Sequence, residues 1–336
     1  MKAIAFTEHG LPINDPRSLQ DVDIPAPKPG PRDLLVEVEA VAVNPVDTKV
    51  RSGTFAKEPK ILGWDAAGMV REVGADVTLF KPGDKVYYAG SLIRAGSYSE
   101  LQVVDERIVG HRPQSLRAAQ AAALPLTSIT AWELLFDRLG VSEGGGNGDV
   151  LLVVGAAGGV GSMLVQLARK LTGMTVIGTA SRLETIEWVK RMGAHHVIDH
   201  RQPMRAQLQA LGLADVSHVA SLTHTEEHLP QLIEVLRPQG RLGVIDDPRS
   251  LDAMPLKLKS LSLHWELMFT RSLFETPDMI NQHHLLNRVA RLVDEGILKT
   301  TLGANFGAIN AANMRSAHAL VESNKAHGKV VLEGFV

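Results

Sequence analysis

Short apolar runs typical of β-strands dominate the first 105 residues of this chain. Glycine and proline interrupt them, as in Lys81-Pro-Gly-Asp84, and this pattern predicts a compact, mostly β unit. Its predicted strands are Leu34–Val43, Ala67–Val73, Lys85–Tyr88 and Glu100–Val104.

From Ser115 to Leu139 the apolar spacing becomes helical, and beyond the glycine-rich residues 143–148 strand and helix patterns alternate. Alternation with short connections predicts an α/β fold with a doubly wound parallel sheet. We therefore expect a mostly β domain over residues 1–124, completed by 271–336, and a parallel α/β domain over 125–270. The predicted strands of the second domain are Val150–Val154, Thr175–Ala180, His196–Ile198, Val216–Ser221 and Arg241–Ile245, with a sixth candidate over Leu261–Phe269.

Closely spaced glycines join the first strand of the α/β domain to the helix that follows it. Without Cβ atoms the backbone can turn tightly and approach a diphosphate, whose charge is met by unpaired N–H groups and the helix dipole. A second strand about 20 residues further on completes the pattern of a dinucleotide-binding turn. The alternative is a tight turn that binds nothing. The turn comprises Gly155, Gly158, Gly159, Val160 and Gly161.

The residues after that second strand indicate which dinucleotide would bind. Folds that prefer NAD usually place a carboxylate there for the ribose diol, whereas this chain has Ser181 and Arg182. A hydroxyl and a guanidinium suit a 2′-phosphate, which favours NADPH. Glu184 is a nearby carboxylate that keeps the choice between NADPH and NADH open. A separate alternative is that Ser181 caps the next helix and Arg182 is solvated.

Composition excludes several classes of protein. A formal net charge of −2 gives no electrostatic reason to expect nucleic acid or an anionic membrane as a partner. The chain contains no cysteine, which excludes disulfides, cysteine-bound zinc, iron–sulfur clusters and thiol catalysis. We find no secretory leader and no run approaching the roughly 18 apolar residues of a membrane span, and we expect a cytoplasmic protein.

The order of several short motifs resembles the medium-chain dehydrogenase/reductase superfamily, closest to its quinone-oxidoreductase-like branch and to members labelled zinc-type alcohol dehydrogenase-like. The resemblance implies a GroES-like domain, a Rossmann domain, an active-site cleft between them and a homodimer. The motifs are Asn44-Pro-Val-Asp47, Arg51-Ser-Gly53, Gly63-Trp-Asp-Ala-Ala-Gly68, Lys81-Pro-Gly-Asp-Lys-Val86, the glycine turn, residues 188–200 and residues 264–271.

The positions that hold catalytic zinc in the metal-dependent members carry other residues in this chain. Asn44 stands at the cysteine position and Trp64 at the histidine position, and Leu124–Thr130 offers no strong third ligand. Asp47 and Asp65 alone make a poor zinc site. We therefore expect neither catalytic nor structural zinc.

Without a metal, hydride transfer needs an acceptor that spreads the incoming charge, such as a quinone or an α,β-unsaturated carbonyl. Asn44 is the candidate polar group facing the nicotinamide or the substrate carbonyl, or else a turn-forming residue before proline. Lys49 and Phe55 replace tyrosines found in some quinone reductases of the family. Lys49 is therefore a candidate proton donor, although a solvated lysine and a proton from solvent remain alternatives.

The resemblance also implies cofactor contacts from other parts of the chain. His200 matches an aromatic position beside the adenosine, Lys329 matches a basic residue near the cofactor phosphate, and residues after the fourth and fifth strands would edge the nicotinamide. Phe55, Trp64 and Phe269 are candidates for an apolar pocket wall, with core packing as the alternative. The further cofactor-binding candidates are Thr130, Leu222 and Ile245, beside the glycine turn, Ser181 and Arg182.

Three other functions remain alternatives. His224-Thr-Glu-Glu-His228 matches the H-x-x-E-H pattern of a zinc protease, but its position after a Rossmann strand fits ordinary helix capping better. A non-catalytic NADPH-binding redox sensor and a zinc-dependent alcohol dehydrogenase with atypical ligands are the other two.

Overall fold

The computed structural model describes residues 1–53 and 58–336. It divides into two compact units, the first formed by Met1–Ile129 with Phe269–Val336 and the second by Thr130–Met268. The domain boundaries expected from the sequence, after residue 124 and after residue 270, lie a few residues from these limits.

The strands of the first unit form two sheets, a small one of three strands and a large one. Strands β1 and β2 pair antiparallel, and β4 pairs with the other edge of β1. The strands are β1 (Lys2–Phe6), β2 (Gln20–Asp23), β3 (Asp33–Val43), β4 (Lys60–Ile61), β5 (Ala66–Val73), β6 (Lys85–Tyr88), β7 (Leu101–Asp105) and β8 (Val109–His111). The helices up to the unit boundary are α1 (Pro45–Gly53), α2 (Ala118–Ala122) and α3 (Pro125–Trp132), with 3₁₀ turns at Pro16–Ser18 and Glu106–Ile108.

The second unit is a parallel six-stranded sheet in the order β11-β10-β9-β12-β13-β14. This confirms the predicted α/β fold class. Its strands are β9 (Val150–Val154), β10 (Thr175–Thr179), β11 (His196–Ile198), β12 (Val216–Ser221), β13 (Leu236–Val244) and β14 (Ser262–Trp265). Its helices are a π-helix (Glu133–Arg138), α4 (Gly159–Leu171), α5 (Leu183–Met192), α6 (Met204–Ala210), α7 (Thr225–Val235) and a 3₁₀ helix (Met254–Lys259).

The central strands of this sheet are buried on both faces, as a sheet covered by helices on both sides requires. All five residues of β9 and all six of β12 are buried. Leu152, Ile177 and Val219 are among the members of its core with no exposed surface.

The C-terminal segment completes the first unit. Strand β16 pairs antiparallel with β3, with Val330 opposite Val43, and extends the large sheet to the order β15-β16-β3-β5-β6-β8, while β7 also pairs with β3. Its elements are α8 (Thr270–Leu273), α9 (Asn281–Asp294), β15 (Leu302–Asn305), α10 (Ala311–Glu322) and β16 (Lys329–Glu333).

The helical region between residues 115 and 139 differs from its prediction. The helical pattern from Ser115 to Leu139 is divided among the short α2, then α3, then the π-helix. Proline is favoured at the first turn of a helix because its missing N–H needs no partner there, and Pro125 begins α3. The π-helix ends at Leu139, whose N–H donates to the Leu134 carbonyl, five residues earlier, at 2.9 Å.

Substitution of two neighbouring glycines tests the packing of α4 on β9. A Cβ at Gly161 would lie 2.5 Å from the Gly155 carbonyl oxygen, whereas a Cβ at Gly158 would make an ordinary 3.5 Å contact with the same atom. We expect Gly161→Ala to lower the free energy of unfolding by about 1–3 kcal/mol, since backbone atoms cannot move aside cheaply. Gly158→Ala is the matched control and should cost less, as measured by urea denaturation. Equal losses for the two variants would contradict this packing.

Candidate functional site

The glycine turn of the second unit joins the carboxyl end of β9 to the first turn of α4. Gly155 has a φ of +79°, which favours glycine, and its N–H donates to Thr179 Oγ1 at 3.1 Å. Gly158 precedes α4 in an extended conformation and has no side chain to cap the helix. The N–H groups of Gly159, Val160 and Gly161 therefore begin a helix whose N-terminus can receive an anion.

A tryptophan that the sequence analysis did not assign to the site supports this turn from behind. Trp188 of α5 donates its Nε1–H to Ser162 Oγ at 2.8 Å, and Ser162 Oγ in turn donates to the Gly158 carbonyl at 2.7 Å. Both side chains are buried. The second helix of the sheet thus fixes the turn from which α4 begins.

Arg182, and not Ser181, is the residue that caps α5. Its N–H donates to Thr185 Oγ1 at 3.3 Å, and its guanidinium lies 3.4 Å from the Glu184 carboxylate, with the two side chains 39% and 60% exposed. The alternative in which Ser181 caps the helix is therefore wrong. Ser181 is half-buried, and its carbonyl accepts a 3.0 Å hydrogen bond from Arg201.

Three histidines lie near the end of β11. His200 and His228 rings are 5.9 Å apart in an edge-on arrangement, and His224 precedes α7 with a left-handed φ of 52°. Burial lowers the pKa of both His200 and His228, and the proximity of His224 lowers both values further. The positive charge of Arg201 also lowers the pKa of His200. The resemblance pointed to His200 alone, and the structure brings the two histidines of the H-x-x-E-H motif, His224 and His228, close to it.

The ends of β12 and β13 bring Leu222 and Ile245 to one edge of the sheet, where both are half-buried. Asp246, next along the chain, accepts the Thr225 N–H at 2.9 Å and so caps α7. Thr130 is buried at the start of the second unit.

A buried polar cluster forms the centre of the first unit, and it starts at a helix that the sequence analysis missed. A turn-forming Asn44 before proline was the alternative considered for this motif, but Pro45 begins α1. Asp47 reaches back to accept the Asn44 N–H at 2.6 Å and also accepts the Gly63 N–H at 3.0 Å. A carboxylate in the first turn of a helix satisfies such unpaired N–H groups. Lys49 accordingly lies on α1, not on a loop, and is exposed.

Lys329 supplies the cation of this cluster from the final strand, β16. Its ammonium donates to the Val43 carbonyl at 3.0 Å and to Asn44 Oδ1, and lies 2.9 Å from Asp65 Oδ2. Asn44 Nδ2 donates to the same Asp65 oxygen at 2.8 Å, and the Leu126 N–H donates to the other at 2.8 Å. Asn44 and Lys329 were expected beside the cofactor; in this structure their polar atoms have partners inside the protein.

The charges in this cluster do not cancel when every group is ionised, because two carboxylates face one ammonium. Asp47 and Asp65 have no exposed surface, and Lys329 is 3% exposed. Burial raises the pKa of Asp47 to about 7, with the Asp65 carboxylate adding to the effect and Lys329 opposing it. Burial also raises the pKa of Asp65.

The cluster extends to a buried tyrosine and histidine. Burial, with the Asp47 carboxylate adding to the effect, holds the pKa of Tyr98 well above its ordinary value. Tyr98 Oη lies 3.2 Å from His318 Nε2. Burial lowers the pKa of His318 to about 3, so this imidazole is neutral at ordinary pH.

Two of the three aromatic residues expected to line an apolar pocket pack against each other. Trp64 and Phe269 have ring centroids 6.3 Å apart in an edge-on arrangement and are 1% and 2% exposed. Trp64 donates its Nε1–H to the Ser91 carbonyl at 3.1 Å. This burial fits core packing. Phe55 lies outside the residues that the structure describes.

Comparison with known proteins places the chain in a family. The family model for the alcohol dehydrogenase GroES-like domain matches residues 30–114, and the one described as zinc-binding dehydrogenase matches 192–332. A zinc-type alcohol dehydrogenase-like protein of Staphylococcus aureus is 38% identical over 337 residues, covering 99% of each chain. The chain belongs to the medium-chain dehydrogenase/reductase superfamily.

Solved structures agree with this assignment. A putative zinc-dependent alcohol dehydrogenase from Rhizobium etli matches with a TM-score of 0.95 and 55% identity, over 100% of this chain and 98% of that one. Escherichia coli quinone oxidoreductase, solved with NADPH, matches with a TM-score of 0.83 and 25% identity, over 99% of this chain and 100% of that one. The protein is thus an oxidoreductase of the quinone-oxidoreductase-like branch.

The zinc that the names of some relatives imply does not fit the residues of this member. At the matching positions, Asn44 is an amide bound to Lys329 and Asp65, and Trp64 is an indole bound to a carbonyl. Within residues 1–53 and 58–336, no three histidine, cysteine or carboxylate side chains are grouped so as to hold a metal ion. An ammonium already occupies the acceptors that a cation would need.

A search of the helices in the described part of the chain finds none that is long and apolar enough to span a bilayer.

Removing the buried cation should destabilise the protein strongly. Lys329→Met leaves the Asp65 carboxylate buried without its counter-charge, and breaking such a pair typically costs about 3–5 kcal/mol. Lys85→Met, at an exposed strand lysine, is the matched control. In a double-mutant cycle with Asp65→Asn, the two losses should be less than additive. Additive losses in chemical denaturation would show that the pair is not coupled.

The Asp47 carboxyl should make stability fall as pH rises. Its pKa is raised in the folded protein to about 7, from an ordinary 3.8, so between these values the folded state holds a proton that the unfolded state has lost. The stabilising contribution is complete below about pH 4 and is lost as pH passes 7. Asp47→Asn should flatten this part of the curve of unfolding free energy against pH, even if it lowers stability throughout. An unchanged slope would contradict the raised pKa.

Proposed function

We propose that this protein transfers hydride from NADPH to a quinone or an α,β-unsaturated carbonyl without a metal ion. The observation that carries the proposal is the cluster of Asn44, Asp65 and Lys329. Asn44 stands at one of the positions that the resemblance assigns to a zinc ligand, and its amide is hydrogen-bonded to Lys329 and Asp65, which pair with each other.

The second unit would bind the cofactor. The glycine turn and the N-terminus of α4 offer the diphosphate N–H groups and a favourable dipole. Ser181 and Arg182 would face the 2′-phosphate, and His200 would lie beside the adenosine. Leu222 and Ile245 lie at the carboxyl ends of adjacent strands, where nicotinamide would be expected, and Thr130 is assigned to the cofactor by the resemblance alone. NADPH bound in a relative of this fold supports the choice of cofactor.

The cofactor, when bound, supplies the hydride, and the acceptor must accommodate the negative charge that arrives with it. A conjugated quinone or enone spreads that charge, so it depends less on a Lewis acid than a simple ketone does. Asn44 and Lys329 provide a fixed amide and a fixed cation in the first unit, held by Asp65. Since Asn44 is 1% exposed, we assign it a positioning role on Lys329.

The proton that completes the reduction would come from Lys49 or from solvent. Lys49 is exposed on α1. A homodimer and a cytoplasmic location remain predictions of the family resemblance and of the cysteine-free composition.

The choice of NADPH over NADH can be tested at Arg182. Arg182→Glu places a carboxylate where a 2′-phosphate would lie, and we expect it to raise the KM for NADPH at least tenfold while leaving the KM for NADH nearly unchanged. Lys190→Glu makes the same charge change at the far end of α5, on a side chain that is 59% exposed, and serves as the control. If both cofactors respond equally to Arg182→Glu, the assignment is wrong.

The reaction itself is tested by following NADPH oxidation with a quinone and with an unsaturated aldehyde, before and after treatment with a chelator. Turnover that is selective for NADPH and resists chelation is the expected result. Cofactor binding without turnover of either acceptor would instead favour a non-catalytic NADPH sensor, the second candidate, which the internal satisfaction of Asn44 and Lys329 supports. Chelator-sensitive oxidation of alcohols would contradict the proposal.

A further inference from the structure

The second unit has a hollow of about 310 Å³ at the edge of its sheet opposite the glycine turn. It lies where β9, β12 and β13 begin, whereas the glycine turn follows the end of β9. Five residues of extended strand separate the two edges by about 16 Å, so a molecule in this hollow would not occupy the dinucleotide site. We call it the basal hollow; its lining includes Asp149, Ser217, His218, Arg237, Gln239 and Arg241.

Two arginines give the basal hollow an uncompensated positive charge. Arg237 is paired with Asp149 at 2.8 Å. Arg241 donates to the Leu139 carbonyl, and no carboxylate among the described residues lies within ion-pair distance of it. Its charge also lowers the pKa of the neighbouring His218 and His264, after the larger effect of burial.

The histidine in the basal hollow is neutral and its tautomer follows from its neighbours. Ser217 Oγ accepts the Val150 N–H at 2.9 Å and donates its own proton to the Val150 carbonyl at 2.9 Å. His218 Nδ1 lies 2.8 Å from the same oxygen and must therefore donate to it. Burial lowers the pKa of His218 to about 4, so at neutral pH the hollow holds two guanidiniums against one carboxylate.

The backbone that brings the two arginines together is strained. The pairing of β12 with β13 shifts register between Val216 and His218, and residues 237–240 bulge out of the ladder. Within this bulge Gln239 has a φ of +63°, a left-handed conformation that non-glycine residues rarely adopt. The bulge places Arg237 and Arg241 on the same hollow.

We propose that the basal hollow binds a small dianion, either a phosphate or a dicarboxylate, through Arg237 and Arg241. A guanidinium offers paired N–H donors that match the oxygens of both groups. Since liquid water occupies about 30 Å³ per molecule, the hollow has room for about ten waters, which is enough for either dianion with part of its hydration. This inference does not depend on the proposed function.

The test measures binding of inorganic phosphate and of succinate by isothermal titration calorimetry, with ionic strength held constant by sodium chloride. Arg241→Gln is compared with the unaltered protein and with Arg71→Gln, a matched control that breaks an exposed pair with Glu37 in the first unit. We expect saturable binding of at least one of these dianions, at one basal site per chain, with a Kd raised at least tenfold by Arg241→Gln and unchanged by Arg71→Gln. Whichever probe binds more tightly identifies the class of ligand.

Phosphate can also bind at the glycine turn, so the titrations are repeated with saturating NADPH. Binding in the basal hollow should persist in the presence of the cofactor and remain sensitive to Arg241→Gln. If circular dichroism shows that Arg241→Gln is unfolded, Arg237→Gln replaces it. No saturable binding, or equal affinity in the unaltered protein and the Arg241 or Arg237 variant, would overturn the proposal. A protein that fails to bind NADPH but shows the Arg241-dependent site would refute the proposed cofactor and leave this inference intact.

Discussion

The first unit depends on one buried ion pair, between the Lys329 ammonium and the Asp65 carboxylate. It joins the last strand of the chain to residues near the start, because β16 pairs with β3 and places Lys329 beside Val43 and Asn44. Asp65 also accepts the Leu126 N–H in the first turn of α3. A buried charge is costly unless it is paired and hydrogen-bonded. The Asp65–Lys329 pair therefore requires β3, β16 and the start of α3 to be in place at the same time.

The same interaction bears on the metal that the names of some relatives imply. A metal site needs anionic or imidazole donors with free lone pairs, whereas here an ammonium and an amide take up the acceptors of Asp65. Burial, with the neighbouring Asp65 carboxylate adding to the effect, raises the pKa of Asp47 to about 7. The proposed chemistry therefore relies on an acceptor that stabilises its own charge. The cation of the buried cluster is the Lys329 side chain and not a metal ion.

The sequence was informative where the signal is local. The glycine turn, the parallel sheet and the β-rich first unit follow from periodicity and from glycine spacing, which act over a few residues. Helix α1 was missed because Asn44-Pro-Val-Asp47 suits a turn equally well until Gly63, sixteen residues away, supplies a second donor to Asp47. The partners of Asn44 could not be predicted, since Lys329 is 285 residues distant. The π-helix and the position of Arg182 at the start of α5 likewise depend on individual hydrogen bonds, which the spacing of apolar residues along the sequence does not reveal.

The most direct test of the account is the zinc content of the purified protein after incubation with excess zinc and removal of loosely held ions by gel filtration. The Lys329–Asp65–Asn44 cluster predicts far less than one zinc per chain. One tightly held zinc per chain, lost on substitution of Asn44 or Asp65, would contradict it, because the ammonium and a metal ion cannot use the same acceptors.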